Sequence, residues 1–168
     1  MLLRGADQGP LPGATYLATY PRYLMLADLA RTRQLPPRAI DRFALIDRWS
    51  EARQEDTARL IAAAYRGHID SLINDQYQSP AGARRFLFNI VQYPGCGAFF
   101  PPACWLALER FTGRVCGVSL ASLVRPEVGH ITQICVSPSL RGQGLGYELL
   151  RRSLETLALS GAARVSLT

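Results

Sequence analysis

The sequence predicts a mixed α/β domain, an α+β arrangement on a mixed sheet, and three observations predict it. Two helical periods precede two strand patterns joined by a short turn, a third strand pattern follows directly, and its end runs through RGQGLG into another helical period. The 168 residues, 48% apolar and 19% charged, are enough to bury one core.

The elements follow in order. Residues 1–13 (MLLRGADQGPLPG) mix Gly and Pro without a period and read as a leader, residues 23–29 (YLMLADL) as a strand, and residues 33–38 (RQLPPR) as a proline-rich linker. The chain thus divides into an N-terminal segment, 1–42, and a domain, 43–168. Residues 43–49 (FALIDRW) alternate as a strand, Ser50 stands as an N-cap, and a helix is expected from Glu51. That helix gathers Leu60, Ile61, Ala64 and Tyr65 on one face, carries a Glu55–Arg59 pair and stops at Gly67. Residues 68–78 are polar and fit a short helix followed by a loop. Ser79-Pro80 opens the second helix, with Phe86, Leu87, Ile90 and Val91 on one side, and Tyr93-Pro94-Gly95 ends it. Residues 93–102 (YPGCGAFFPP) read as turn chemistry with buried aromatics.

Residues 104–109 and 115–123 form a hairpin across FTGR, and residues 130–136 add a third strand to an antiparallel meander. A third helix spans 145–159, with Leu149, Leu150, Leu154 and Leu157 at helical spacing and Gly161 as its stop. Residues 164–167 begin one more strand, whose free edge needs a partner.

Composition removes several function classes. All 19 basic residues are arginine, read here as coding bias, and without lysine there is no Schiff-base enzyme, no P-loop and no kinase-type catalytic lysine. The net charge of +6 suits an anionic ligand, but the arginines are scattered and form no basic stripe, so no nucleic-acid partner is expected. Cys96, Cys104, Cys116 and Cys135 lack C-x-x-C spacing, and neither they nor the two histidines suggest a metal site. Apolar runs break well before ~18 residues, so no membrane span is expected. Reduced thiols and no signal peptide point to the cytoplasm.

Chemistry concentrates in residues 131–150 (ITQICVSPSLRGQGLGYELL), a strand, a glycine-rich turn and a helix N-terminus. Three glycines let backbone approach a ligand closely, while free N–H groups and the positive helix end attract phosphate. The G-x-G-x-G spacing is not the G-x-G-x-x-G of a dinucleotide fold, and the preceding strand belongs to a meander.

Arg141-Gly142-Gln143-Gly144-Leu145-Gly146 matches [QR]-x-x-G-x-[GA] and follows a strand ending in Val136-Ser137-Pro138. In motif and in element order, residues 43–168 resemble the GNAT N-acetyltransferases. The resemblance implies an acetyl-CoA-dependent enzyme that passes an acetyl group directly to a primary amine in a ternary complex, without a metal. It implies that the backbone of Ile134, Cys135 and Val136 pairs with the pantetheine arm, and that Arg141 and the N–H groups of Gly142, Gln143, Gly144, Leu145, Gly146 and Tyr147 hold the pyrophosphate. An amide near Val136 would polarise the thioester carbonyl. Cys135 is then a strand residue and not a nucleophile. His130 stands where some histone-modifying relatives place a glutamate base, and an imidazole suits that role; a plain strand-end residue is the alternative. His68, Asp70, Asn74, Asp75 and Tyr77 lie where this family often borders its acceptor groove, and as solvated loop residues otherwise.

A complete member continues past the fifth strand into a further helix and two strands, so the pattern is expected to lack its C-terminal part. Either residues 14–30 fold back or swap between chains to cover the exposed edge, or the chain is a truncated product of a longer gene whose half-domain binds cofactor weakly or aggregates through that edge; the second is favoured, and the partner expected at an exposed edge is a second copy, as a homodimer. The alternative function is a catalytically incompetent CoA-binding or oligomerisation module. The acceptor amine is unassigned.

Overall fold

The computed structural model describes Tyr20 and residues 22–32 and 34–168; the leader at 1–13, residues 14–19 and Arg33 of the linker lie outside the described residues. The strand expected over 23–29 is β1 (Met25–Asp28), and Leu29 already belongs to a single helical turn, α1 (Leu29–Thr32). After β2 (Ala44–Arg48), Ser50 has the extended backbone of a cap but its hydroxyl makes no cap bond. The chain therefore tightens into a 3-10 turn, Glu51–Arg53, and α2 (Gln54–Ala64) begins later than the sequence suggests. The ambiguous segment holds α3 (Asp70–Ile73) and a 3-10 turn, Asp75–Tyr77. Ser79 caps α4 (Pro80–Gln92) by accepting the Gly82 N–H at 3.0 Å.

Strands β3 (Ala98–Phe99), β4 (Trp105–Glu109), β5 (Val115–Arg125) and β6 (Val128–Val136) follow, then α5 (Leu145–Leu159) and β7 (Arg164–Leu167). The sheet runs β1-β7-β6-β5-β4-β2, and β3 pairs with β5 beyond the end of β4. Every pairing is antiparallel except β6 with β7, which α5 connects as a crossover.

Helices cover both faces. On one, Leu60 and Ile61 of α2 and Leu87 of α4 meet Leu106, Val118 and Leu120 of the sheet. On the other, Leu145, Leu149, Leu154 and Leu157 of α5 meet Ala107, Cys116, Ala121 and Ile131. Each fully buried aliphatic side chain contributes about 1.5–3 kcal/mol relative to exposure.

The edge of β7 is not open. Met25–Asp28 pair with it residue by residue, from Met25↔Leu167 to Asp28↔Arg164, and Leu29, 1% exposed, docks beside Leu154, Leu157 and Val165 while its N–H donates to the Ala163 carbonyl at 2.9 Å. For these residues the chain folds back on itself, the alternative the sequence reading did not favour, and the site where a second copy was expected to pair is occupied within the same chain. Leu29→Ala should cost about 3 kcal/mol and release β1 ahead of the rest. Hydrogen exchange should then show residues 25–32 losing protection while α2 and α4 keep theirs; unchanged protection there would refute this docking.

Candidate functional site

The site is built around β6. Its register with β7 ends at Ile131↔Leu167, whereas its register with β5 continues to Val136↔Gly117. From 132 to 136, one edge of β6 thus has no strand partner among the described residues. The pairing with β5 also skips a residue, from Leu120↔Gln133 to Ala121↔Ile131, so Thr132 is an inserted bulge residue. Ile131 packs on the α5 face, Gln133 points to α2, and Ile134 and Val136 return to the α5 face while Cys135 joins the α2 face.

Gln133 is 3% exposed and satisfied by two phenols. Its Nε2 donates to the Tyr65 hydroxyl at 3.1 Å, the Tyr77 hydroxyl donates to its Oε1 at 3.4 Å, and the two rings stack at 4.2 Å between centroids. Burial raises the Tyr65 and Tyr77 pKa values above the ordinary phenol. Sequence reasoning put Tyr65 in the core and overlooked Gln133 and Thr132. The signal was present, because apolar Ile131 and Ile134 stand three apart in a strand that should repeat every two residues.

Beyond β6 the chain forms the turn that the sequence singled out. Gly142 and Gly144 have φ of 75° and 83°, a left-handed conformation in which a side chain is strained. Gly144 is the N-cap of α5 and has no side chain with which to cap it. No acceptor among the described residues meets the N–H groups of residues 142–147, which therefore form a row of free donors at the positive end of a 15-residue helix. Gly146 has an ordinary φ, and a Cβ there would stand 3.5 Å from Val136 Cγ2, simple van der Waals contact. This explains a motif strict at its first glycine and tolerant of alanine at its last.

The side chains of the turn act differently from its backbone. Leu145 is buried in the core and Gln143 is exposed. Arg141 donates to the Ala64 carbonyl at 2.7 Å, tying the turn to the end of α2, and Tyr147 donates to the Pro36 carbonyl at 2.9 Å. Between α2 and the free stretch of β6 lies a cleft of about 250 Å³, lined by Tyr65, His68, Asp70, Ile134, Cys135 and Arg141. Burial pushes the Cys135 thiol up to about 12, against a hydrogen bond from Gln133 and the charge of Arg141, so it is no thiolate at neutral pH.

His130 lies where β6 and β7 still pair, opposite Ser166, whose hydroxyl is 2.8 Å from its Nδ1. Burial lowers its pKa below 6.5 despite the contact with Ser166, leaving a neutral imidazole at pH 7. The loop candidates do other work. Asp70 pairs with Arg22 at 2.6 Å, His68 accepts the Asp70 N–H at its Nδ1, Asn74 accepts the Gln76 N–H, and Asp75 is exposed. Among the described residues, no three His, Cys, Asp or Glu side chains converge as a metal site, and no helix is long and apolar enough to cross a membrane.

The model of the Acetyltransferase (GNAT) family matches residues 48–168. The chain belongs to this family. Among solved structures, this GNAT chain is similar in fold to a GCN5-related N-acetyltransferase from Sphaerobacter thermophilus, with 16% identity, TM-score 0.59, and 86% of this chain against 41% of that one covered. It thus spans less than half the length of that protein. It is also similar to a GNAT family acetyltransferase from Brucella melitensis in complex with acetyl-CoA (17% identity, TM-score 0.53, 74% of each chain). The GNAT family N-acetyltransferase YhbS from Escherichia coli in complex with CoA is similar as well (18% identity, TM-score 0.53, 74% of this chain and 62% of that one). No curated protein matches the sequence.

Two predictions test the local chemistry. Gly144→Ala should cost about 1–2 kcal/mol for its left-handed φ, and Gly146→Ala should be neutral or slightly stabilising; equal melting temperatures would contradict the assigned backbone. Glu148, 1% exposed in the first turn of α5, is bonded by Arg151, by the Arg38 N–H and by Arg152. Burial alone would raise its pKa, but these bonds outweigh it and hold the carboxyl down at about 2. A depressed pKa gives stability that is present above the unfolded value, near 4.5, and lost as pH falls toward 2, a swing of about 3 kcal/mol. Urea unfolding of Glu148→Gln should lack that acid-dependent slope; an identical slope in both proteins would disprove it.

Proposed function

We propose that the protein is an acetyl-CoA-dependent N-acetyltransferase acting on a primary amine. The observation that carries this is the row of free N–H groups at residues 142–147, beside a strand whose edge is free from 132 to 136. Free donors at an uncapped helix end fit a pyrophosphate, and an unpaired strand edge fits the amides of a pantetheine arm. Gly142 to Tyr147 would contribute backbone, and Ile134, Cys135 and Val136 would contribute the strand edge. Arg141, engaged with the Ala64 carbonyl, would hold the turn in shape and leave the phosphates to the main chain. Bound there, acetyl-CoA would supply the activated acetyl group.

His130 is the base in this reading. Its neutral imidazole can take the proton that the amine gives up as the nitrogen bonds the acetyl carbon and the carbon–sulfur bond breaks. Backbone N–H groups of β6 would stabilise the developing oxyanion, Val136 among the candidates. A cytoplasmic location belongs to the same reading, since Cys96, Cys104, Cys116 and Cys135 are free thiols.

Calorimetric titration with acetyl-CoA tests the binding, and absence of binding at millimolar ligand would reject the proposal. Amine-dependent CoA release tests the chemistry; binding without release for any amine would mark a CoA-binding module. His130→Ala should lower kcat about 10²-fold or more and leave acetyl-CoA affinity unchanged. The wild-type rate should fall as pH drops through the lowered histidine pKa, below 6.5, and the variant should lack that limb.

A further inference from the structure

We infer that the acceptor enters a second cavity, on the α4 side of β6, and that it is a primary amine on an uncharged, mainly apolar body carrying a hydroxyl or amide. This rests on the acetyl-transfer reading above and gives it a substrate class. The cavity, about 410 Å³, is of small-molecule size and lies between α4, the loop after it and strands β5 and β6. Phe86, Ile90 and Tyr93 form apolar walls, and none of its lining side chains is charged.

Its floor is polar and unsatisfied. Ser122 of β5 is 1% exposed, and both its hydroxyl and that of the bulge residue Thr132 are buried without a hydrogen-bond partner. Buried hydroxyls without partners cost folding free energy, so two of them on residues that line one cavity mark where a ligand group would bond. Ser122 is also the register partner of His130, which sets the proposed base beside this floor.

The roof is built to stay in place. Ala98 and Phe99 pair with Leu123 and Ser122, and Gly97 crosses β5 so closely, at φ 94°, that a Cβ would stand 2.6 Å from the Leu123 carbonyl oxygen. The loop is therefore pinned to the strand that carries Ser122. An amine seated under it presents its nitrogen toward β6. The C–N bond forms, the C–S bond of acetyl-CoA breaks with its electron pair leaving on sulfur, and the amine proton passes to His130. A polyamine fits poorly, because each additional ammonium would be desolvated without a carboxylate.

Tyramine, 2-phenylethylamine, spermidine and a short peptide with a free N-terminus test this, with CoA release followed chromatographically. Tyramine should exceed spermidine and the peptide in kcat/KM by tenfold or more. Ser122→Ala and Thr132→Val should each lower kcat/KM for tyramine about tenfold, change 2-phenylethylamine less than twofold, and leave the melting temperature equal or higher, because the hydroxyls they remove have no protein partner. A preference for spermidine or the peptide, or equal losses with both aryl amines, would overturn the assignment. Binding is read without turnover at Cys96, the exposed thiol that lines the cavity. Saturating tyramine should slow its alkylation at least fivefold and spermidine should not. Unprotected Cys96 in a protein that binds acetyl-CoA overturns the cavity alone, whereas protected Cys96 without acetyl-CoA binding overturns the transferase reading alone.

Discussion

One inserted residue organises the centre of this protein. In a regular strand, side chains alternate faces, and β6 would send Gln133 into the largely apolar layer beneath α5, away from Tyr65 and Tyr77. Thr132 shifts the alternation by one position. Gln133 then reaches Tyr65 and Tyr77, Ile134 and Val136 regain the α5 face, and Thr132 itself opens onto the cavity under the 93–97 loop. The bulge sits at the point where β6 leaves β7, and the cleft beside α2 and the cavity under the 93–97 loop both border that departure.

Charge is arranged around this frame and not within it. The chain has no lysine, and the arginine nearest the turn is occupied by a carbonyl at the end of α2. Anion attraction at residues 142–147 comes from main-chain N–H groups and the helix dipole, with the Arg38 side chain packed beside Gly144 and Tyr147. Glu148, also in the first turn of α5, would oppose an anion, but Arg151 and Arg152 neutralise it and the linker N–H of Arg38 bonds it. One carboxylate thus joins the N-terminal linker to the helix that carries the cradle.

Much of this was legible in the residues. α4 and α5 carry complete local signals, Ser79-Pro80 for one and the glycine turn with Gly161 for the other, and their boundaries agree with the sequence reading. Where local signals competed, the sequence points elsewhere: Ser50 has the chemistry of a cap but makes no cap bond, and a 3-10 turn stands in place of the first helical turn. The partner of β7 could not be read at all, since strand alternation records which face is buried and not which strand lies alongside. The backbone part of the candidate site followed from spacing. The cavity beside Ser122 did not, because it depends on a loop crossing a strand that is distant in sequence.

The pairing of β1 with β7 also bears on how the molecule assembles. Met25 and Leu167 are partners, so the first described strand cannot complete its ladder until the last has been synthesised. Helices α2 and α4 and the β4–β6 meander are built from near neighbours and can form early, whereas closure of this edge carries the largest sequence separation in the sheet. Until then Leu29 and the Leu154, Leu157 and Val165 side chains beside it lack one another, so the emerging chain shows an apolar patch that the folded chain hides.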